Sequence, residues 1–153
     1  MLLTYGDLAK LFPKGKGIQV EELFFHTVAT ISEIPQHKGV FIPCEENSGE
    51  LITAISNGAI AALWDEKVVV PKYTPNHFPL FYTNDLLKGL MDMMEIYLEN
   101  INQTEYSQTK GTNFLFSTEM RFKENISAYN HAEMVKEINN FSKLLQQRKG
   151  GAK

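Results

Sequence analysis

The run 28–64, VATISEIPQHKGVFIPCEENSGELITAISNGAIAALW, decides the fold class of this 153-residue chain. It reads as strand, loop, strand, helix, strand. Val40-Phe41-Ile42 is a short apolar run entered from Gly39 and closed by Pro43. Ser48 is placed to cap a helix. Leu51, Ile52 and Ile55 then fall on one helical face, with Ala54 beside them. Asn57-Gly58 stops that helix, because glycine enters the left-handed conformation without a Cβ penalty. The run AIAAL at 59–63 is small and apolar throughout, the pattern of a strand covered on both faces. A strand-helix-strand unit of this length predicts a parallel crossover of right-handed sense.

Working outward toward the start, residues 4–11 predict a short helix. Thr4 caps it, Asp7 lies in its first turn, and Leu8 and Leu11 face the core. Lys14-Gly15-Lys16-Gly17 reads as a solvated turn, since a phosphate-cradling loop needs a strand before it and a helix after it. Residues 18–20 and 23–30 are β-prone. Residues 32–38, with Pro35, read as a loop. Beyond the central run, 65–67 is a turn, Val68-Val69-Val70 a short strand ended by Pro71, 73–79 a loop, and Leu80-Phe81-Tyr82 another strand. Thr83 or Asn84 caps a helix expected to run to about Asn100, with Asp85 in its first turn. Leu86, Leu90, Met94, Tyr97 and Ile101 recur at helical spacing, which makes Met91, Met93 and Met94 core filler rather than a docking surface.

Residues 102–112 are polar and aperiodic, a linker. Residues 114–116 and 120–122 are read as a small hairpin. A last helix is capped by Asn130 and carries the stripe Ala132, Val135, Ile138, Phe141 and Leu145. It either packs back on the domain or docks on a partner or a second copy. The expected architecture is thus α/β, a small mixed or parallel sheet flanked by helices over 1–101. A linker with a hairpin follows over 102–123, and an amphipathic helix over 124–150.

Composition narrows the function classes. With 15 basic and 18 acidic residues the net charge is −3, which gives no electrostatic footprint for nucleic acid or anionic lipid. A single cysteine excludes an internal disulfide framework and a cysteine-based zinc cluster. The opening MLLTYGDLAK has neither a basic start nor a long apolar run, so no signal peptide is expected. Apolar runs fall far short of the roughly 18 residues that span a bilayer. A cytoplasmic protein is the expectation.

Candidate chemistry is sparse. His26, His37, His77 and His131 show no ligand spacing within one element, so neither a metal nor a cofactor is expected. His37 and His77 fall in loops and read as solvated. Cys44 follows a strand end, where α/β folds place their sites, yet no histidine or asparagine stands beside it in sequence. The expectation is a buried or half-buried thiol, against an enzyme site assembled from Cys44 and His37. G-x-S-x-G, G-x-G-x-x-G and the phosphate-loop motif are absent; Gly111-Thr112-Asn113 runs into Phe114-Leu115-Phe116 instead of Gly-Lys-Thr.

The order of parts from about residue 2 to 99 resembles the N-terminal domain of Mur ligases. The nearest are those that add the third amino acid or the terminal dipeptide to UDP-N-acetylmuramoyl peptides. That domain has a V-x-T-D-S-R segment, a G-D-[LV]-F-[IV]-[AP] strand, a D-G-H loop, a helix ending in G-A and an A-x-A-x-[LV] strand. Here Val28-Ala29-Thr30-Ile31-Ser32-Glu33 stands at the first motif and Lys38-Gly39-Val40-Phe41-Ile42-Pro43 at the second. Asn57-Gly58-Ala59 and the following strand match the helix end, and Phe81-Tyr82-Thr83-Asn84-Asp85 precedes the long helix.

Departures are as informative as matches. Ile31 and Glu33 replace the family's acidic and arginine positions, and a glutamate there repels a diphosphate where an arginine would pair with it. The D-G-H loop is shortened to Glu45-Glu46-Asn47-Ser48-Gly49. No ATP-binding central domain is expected after the long helix. The resemblance carries Thr30, Ser32 and Asn47 over as substrate-binding positions, with no catalytic residue. It implies a stand-alone, non-catalytic domain that acts by binding a partner protein, itself or, residually, a UDP-linked cell-wall precursor. The alternative is the substrate-binding part of a split amide ligase of peptidoglycan precursor synthesis, completed by a separate ATPase subunit.

Overall fold

The computed structural model describes residues 2–20, 22–104 and 112–115, together with Asn139 and Lys143. In chain order they form β1 (Leu3–Thr4), α1 (Tyr5–Leu11), β2 (Gly15–Lys16), β3 (Phe24–Phe25), β4 (Thr27–Ala29) and β5 (Gly39–Phe41). A 3-10 turn (Glu46–Ser48), α2 (Leu51–Ser56), β6 (Ala59–Asp65), β7 (Leu80–Thr83), α3 (Leu86–Thr104) and β8 (Asn113–Leu115) follow. The main sheet has six strands in the order β2-β7-β6-β5-β4-β8, and β1 and β3 make a separate two-stranded ribbon. Strands β8, β4, β5, β6 and β7 run parallel to one another, and edge strand β2 pairs antiparallel with β7. The fold is therefore α/β on a mixed sheet.

The central crossover is β5-α2-β6, as the 28–64 run predicts, with Val40 opposite Ala61 and Phe41 opposite Ala62. The register shifts by one between Gly39↔Ala59 and Val40↔Ala61, so Ile60 is an extra residue on β6. Such a bulge reverses which face the following side chains meet. It explains why Ala59 shares a face with Ala62 and Trp64 rather than with Ala61 and Leu63. Helix α2 is stopped beyond its Asn57 cap by Gly58, whose φ of 117° only glycine adopts without strain. A side chain at 58 would also stand 2.8 Å from the Gln36 carbonyl, so the loop before β5 packs directly on this helix stop.

Two cores result. On one face α1 and α3 cover Val28, Val40, Ile42, Ala61, Leu63, Phe81 and Phe114. On the other, Leu51 and Ala54 of α2 join Phe41, Ala62, Trp64, Phe78 and Leu80. Met93 and Met94 are fully buried in the first core, in line with the core-filler reading. The capping box at Thr4 and Asp7 is present, each side chain receiving the other's backbone N–H at 3.1 Å.

Several expectations are corrected. Val68-Val69-Val70 is no strand: Val69 is 85% exposed, and the segment folds back so that the Val68 carbonyl accepts from Trp64 Nε1 at 3.1 Å. Residues 18–20 are also not a strand. The pairing falls one turn earlier, on Gly15 and Lys16, so the expected solvated turn is an exposed edge strand against β7. Ser48 does not cap α2; the helix starts after Glu50, and Ser48 Oγ accepts from Glu45 N–H to close the 3-10 turn. Asp85 rather than Thr83 or Asn84 caps α3, its Oδ1 accepting from Lys88 N–H at 3.1 Å.

The expected linker is entered late, since α3 continues to Thr104. Thr112 at its far end is buried. Strand formation at 114–115 is as expected, but the partner is β4, in parallel. Residues 120–122 of the expected hairpin lie outside the described residues. So does most of the final helix, in which Asn139 and Lys143 are helical and exposed.

Candidate functional site

Because β5, β6 and β7 run parallel, their C-terminal ends open on one edge of the sheet, the place where open α/β sheets bind ligands. A cleft of about 450 Å³ lies there. Pro43, Cys44, Glu45 and Glu46 enter it after β5, Asp65 from the end of β6, and Asn84, Asp85 and Leu86 from the junction of β7 and α3. Local hydrogen bonds set each wall. Cys44 N–H donates to the Ile42 carbonyl at 2.9 Å, turning the chain out of β5. Asp65 Oδ1 accepts from Lys67 N–H at 2.9 Å, and Asp85 N–H donates to Thr83 Oγ1 at 3.2 Å.

The electrostatics follow from the lining. Four of its eight residues are carboxylates (Glu45, Glu46, Asp65, Asp85), and none is cationic. Asp65 also serves its turn and Asp85 the helix start, each accepting a backbone N–H. The N-terminus of α3 thus meets a carboxylate already in place. A cleft of this sign rejects a diphosphate and suits a cationic group.

Thr30 and Ser32 do not line this cleft. Both are buried in the connection from β4 to β5. Thr30 N–H donates to the Leu115 carbonyl at 3.1 Å and Ser32 N–H to the Ser48 carbonyl at 2.7 Å. The Ser32 carbonyl accepts from Asn57 Nδ2 at 2.8 Å, so the segment is clamped to both ends of the α2 region. Ser32 Oγ has no hydrogen-bond partner among the described residues and lies against Gly49, where any Cβ would collide with it. Asn47 is exposed in the 3-10 turn, apart from the two buried hydroxyl residues. His37 precedes β5 and Cys44, half-buried, follows it, so the strand separates the two members of the expected Cys44–His37 site. His77 is exposed in its loop, and His131 lies outside the described residues.

Two features escaped the sequence reading. Gln36 sits in a polar loop yet is fully buried, its Nε2 donating to the carbonyls of Ile31 and Ile34 at 3.0 and 3.2 Å. It staples a parallel connection that has no helix of its own. The second is a pair of rings: His26 and His37 come within 5.4 Å, centroid to centroid, though eleven positions apart in the chain. Only the parallel register of β4 and β5 brings them together. Among the described residues no group of three or more His, Cys, Asp or Glu is arranged to hold a metal ion. No described helix is long and apolar enough to cross a membrane.

No family model, curated protein or solved structure matches this chain.

Proposed function

We propose that the chain is a binding domain of the Mur-ligase N-terminal type that works by docking on a partner protein or a second copy of itself, without ligase chemistry of its own. One observation carries the reading. The segments on which the resemblance rests are consecutive pieces of one parallel unit: Val28 on β4, Val40 and Phe41 on β5, Gly58 at the stop of α2, Ala61 to Leu63 on β6, and Phe81 on β7 leading into α3. Their apolar members are buried, so they build a frame rather than a reaction centre. The acidic cleft and the burial of Thr30 and Ser32 argue against a retained diphosphate site.

Calorimetric titration of the full chain with UDP tests this, paired with light scattering of the chain with and without residues 124–153. The expected results are silence at millimolar UDP and a mass above the monomer, or a co-purifying protein, that depends on the C-terminal residues. Heat with UDP that disappears in Ser32→Ala would replace the reading with ligand retention. Precursor-dependent ATP hydrolysis on adding a separate ATPase subunit would replace it with a split ligase.

A further inference from the structure

We infer that His26 and His37 form a two-ligand site for a borderline divalent transition metal ion of the Zn²⁺ type, at the edge of the sheet opposite the acidic cleft. The two residues stand immediately before β4 and three positions before the second residue of β5, at the N-terminal ends of neighbouring strands. Their backbones are fixed to one another. His26 N–H donates to the Lys38 carbonyl at 3.0 Å, and Thr27 Oγ1 donates to the His37 carbonyl at 3.0 Å. On its other side the His26 carbonyl accepts from Asn113 N–H at 3.0 Å, which ties it to β8. Lys38, between His37 and the strand, takes a φ of +46°, a left-handed conformation that only a held turn keeps in a residue with a Cβ.

Geometry supplies the argument for a metal. Two imidazoles on one tetrahedral Zn²⁺ have centroids about 5.3 Å apart, given a Zn–N bond of about 2.1 Å, about 1.2 Å from nitrogen to ring centre, and an angle of roughly 109°. The observed separation is 5.4 Å, with the ring planes inclined at 57°. Imidazole is the ligand that Zn²⁺, Cu²⁺ and Ni²⁺ share. His37 is exposed, so an ion has access from solvent, while His26 is partly covered and held in place. Two protein ligands leave two tetrahedral positions for water or for a donor from another molecule, which makes this an exchangeable site rather than a permanent centre.

Ring packing alone also tolerates such a separation, and the test separates the two. Zn²⁺ is titrated into the full chain by calorimetry at neutral pH in a buffer free of phosphate. The expected result is one equivalent bound at micromolar affinity, weakened about tenfold or more in His37→Ala and unchanged in His77→Ala and Cys44→Ser. His37 is exposed, so His37→Ala leaves the fold intact, and the circular dichroism spectrum checks that. In parallel, the ring-proton resonances of His26 and His37 shift together on adding Zn²⁺. Absence of binding up to millimolar Zn²⁺, equal affinity in His37→Ala, or loss of binding in Cys44→Ser would each overturn the assignment.

Discussion

Replacing Thr112 by valine should destabilise the fold far more than its small change in shape suggests. The Thr112 hydroxyl accepts the Leu3 N–H at 2.9 Å and donates to the Phe25 carbonyl at 2.8 Å, and Thr112 is 1% exposed. It therefore satisfies the two outward groups of the β1–β3 ribbon from a point 109 positions away from Leu3. Valine leaves both groups buried and unpaired, at about 1–3 kcal/mol each, and an added methyl returns about 1 kcal/mol. The net loss is about 1–5 kcal/mol. Serine keeps both bonds and loses only a methyl, about 1 kcal/mol. In urea unfolding, with a slope of about 2 kcal/mol per molar, Thr112→Val should lower the midpoint by roughly 0.5–2.5 M and Thr112→Ser by about 0.5 M. A valine variant no less stable than the serine variant would refute the reasoning. Tyr97→Phe probes the same knot from another side, since Thr112 N–H donates to the Tyr97 hydroxyl oxygen at 3.0 Å. The two substitutions should be non-additive in a double-mutant cycle.

Burial raises the Tyr97 pKa above its ordinary value of 10.0, outweighing the opposite effect of the Thr112 N–H. The unfolded chain then releases the phenol proton first, so stability should hold below about pH 10 and fall as the pH rises past it, a slope that Tyr97→Phe lessens in urea midpoints at pH 9–11. Gly49→Ala should cost about 1–3 kcal/mol, because φ 92° with ψ −168° is a region essentially reserved for glycine. Ser32→Ala, which removes a buried hydroxyl with no partner among the described residues, should stay within about 0.5 kcal/mol in the same assay. Asp85→Ala should lose about 1 kcal/mol with the cap of α3, and Asp85→Asn, which can still accept from Lys88 N–H, should recover most of it in thermal unfolding.

What could be read in advance was periodicity and stop signals over short range. The crossover through Gly39, Gly58 and Ala62, the Thr4–Asp7 box and the buried face of α3 all follow from residues within a few turns of each other. The failures have a common form. Val68-Val69-Val70 carries high β-propensity, but the sheet offers it no partner, and propensity without a partner strand makes no strand. Gly15 and Lys16 carry low propensity and pair nonetheless, because β7 has an open edge. Thr112 looked like linker and is a structural knot, since the signal for it lies in Leu3, Phe25 and Tyr97. The His26–His37 pair and the burial of Gln36 are hidden for the same reason: both depend on which strands adjoin, which no local pattern encodes.

The parallel alignment of β8 with β4 fixes the direction in which the chain departs. The C-terminal end of β8 lies on the same rim that carries the carboxylate cleft, three strand spacings or roughly 14 Å from the end of β6. An extended peptide of about four residues, at roughly 3.4 Å each, spans that distance, so one short peptide seated in the cleft would also reach the end of β8.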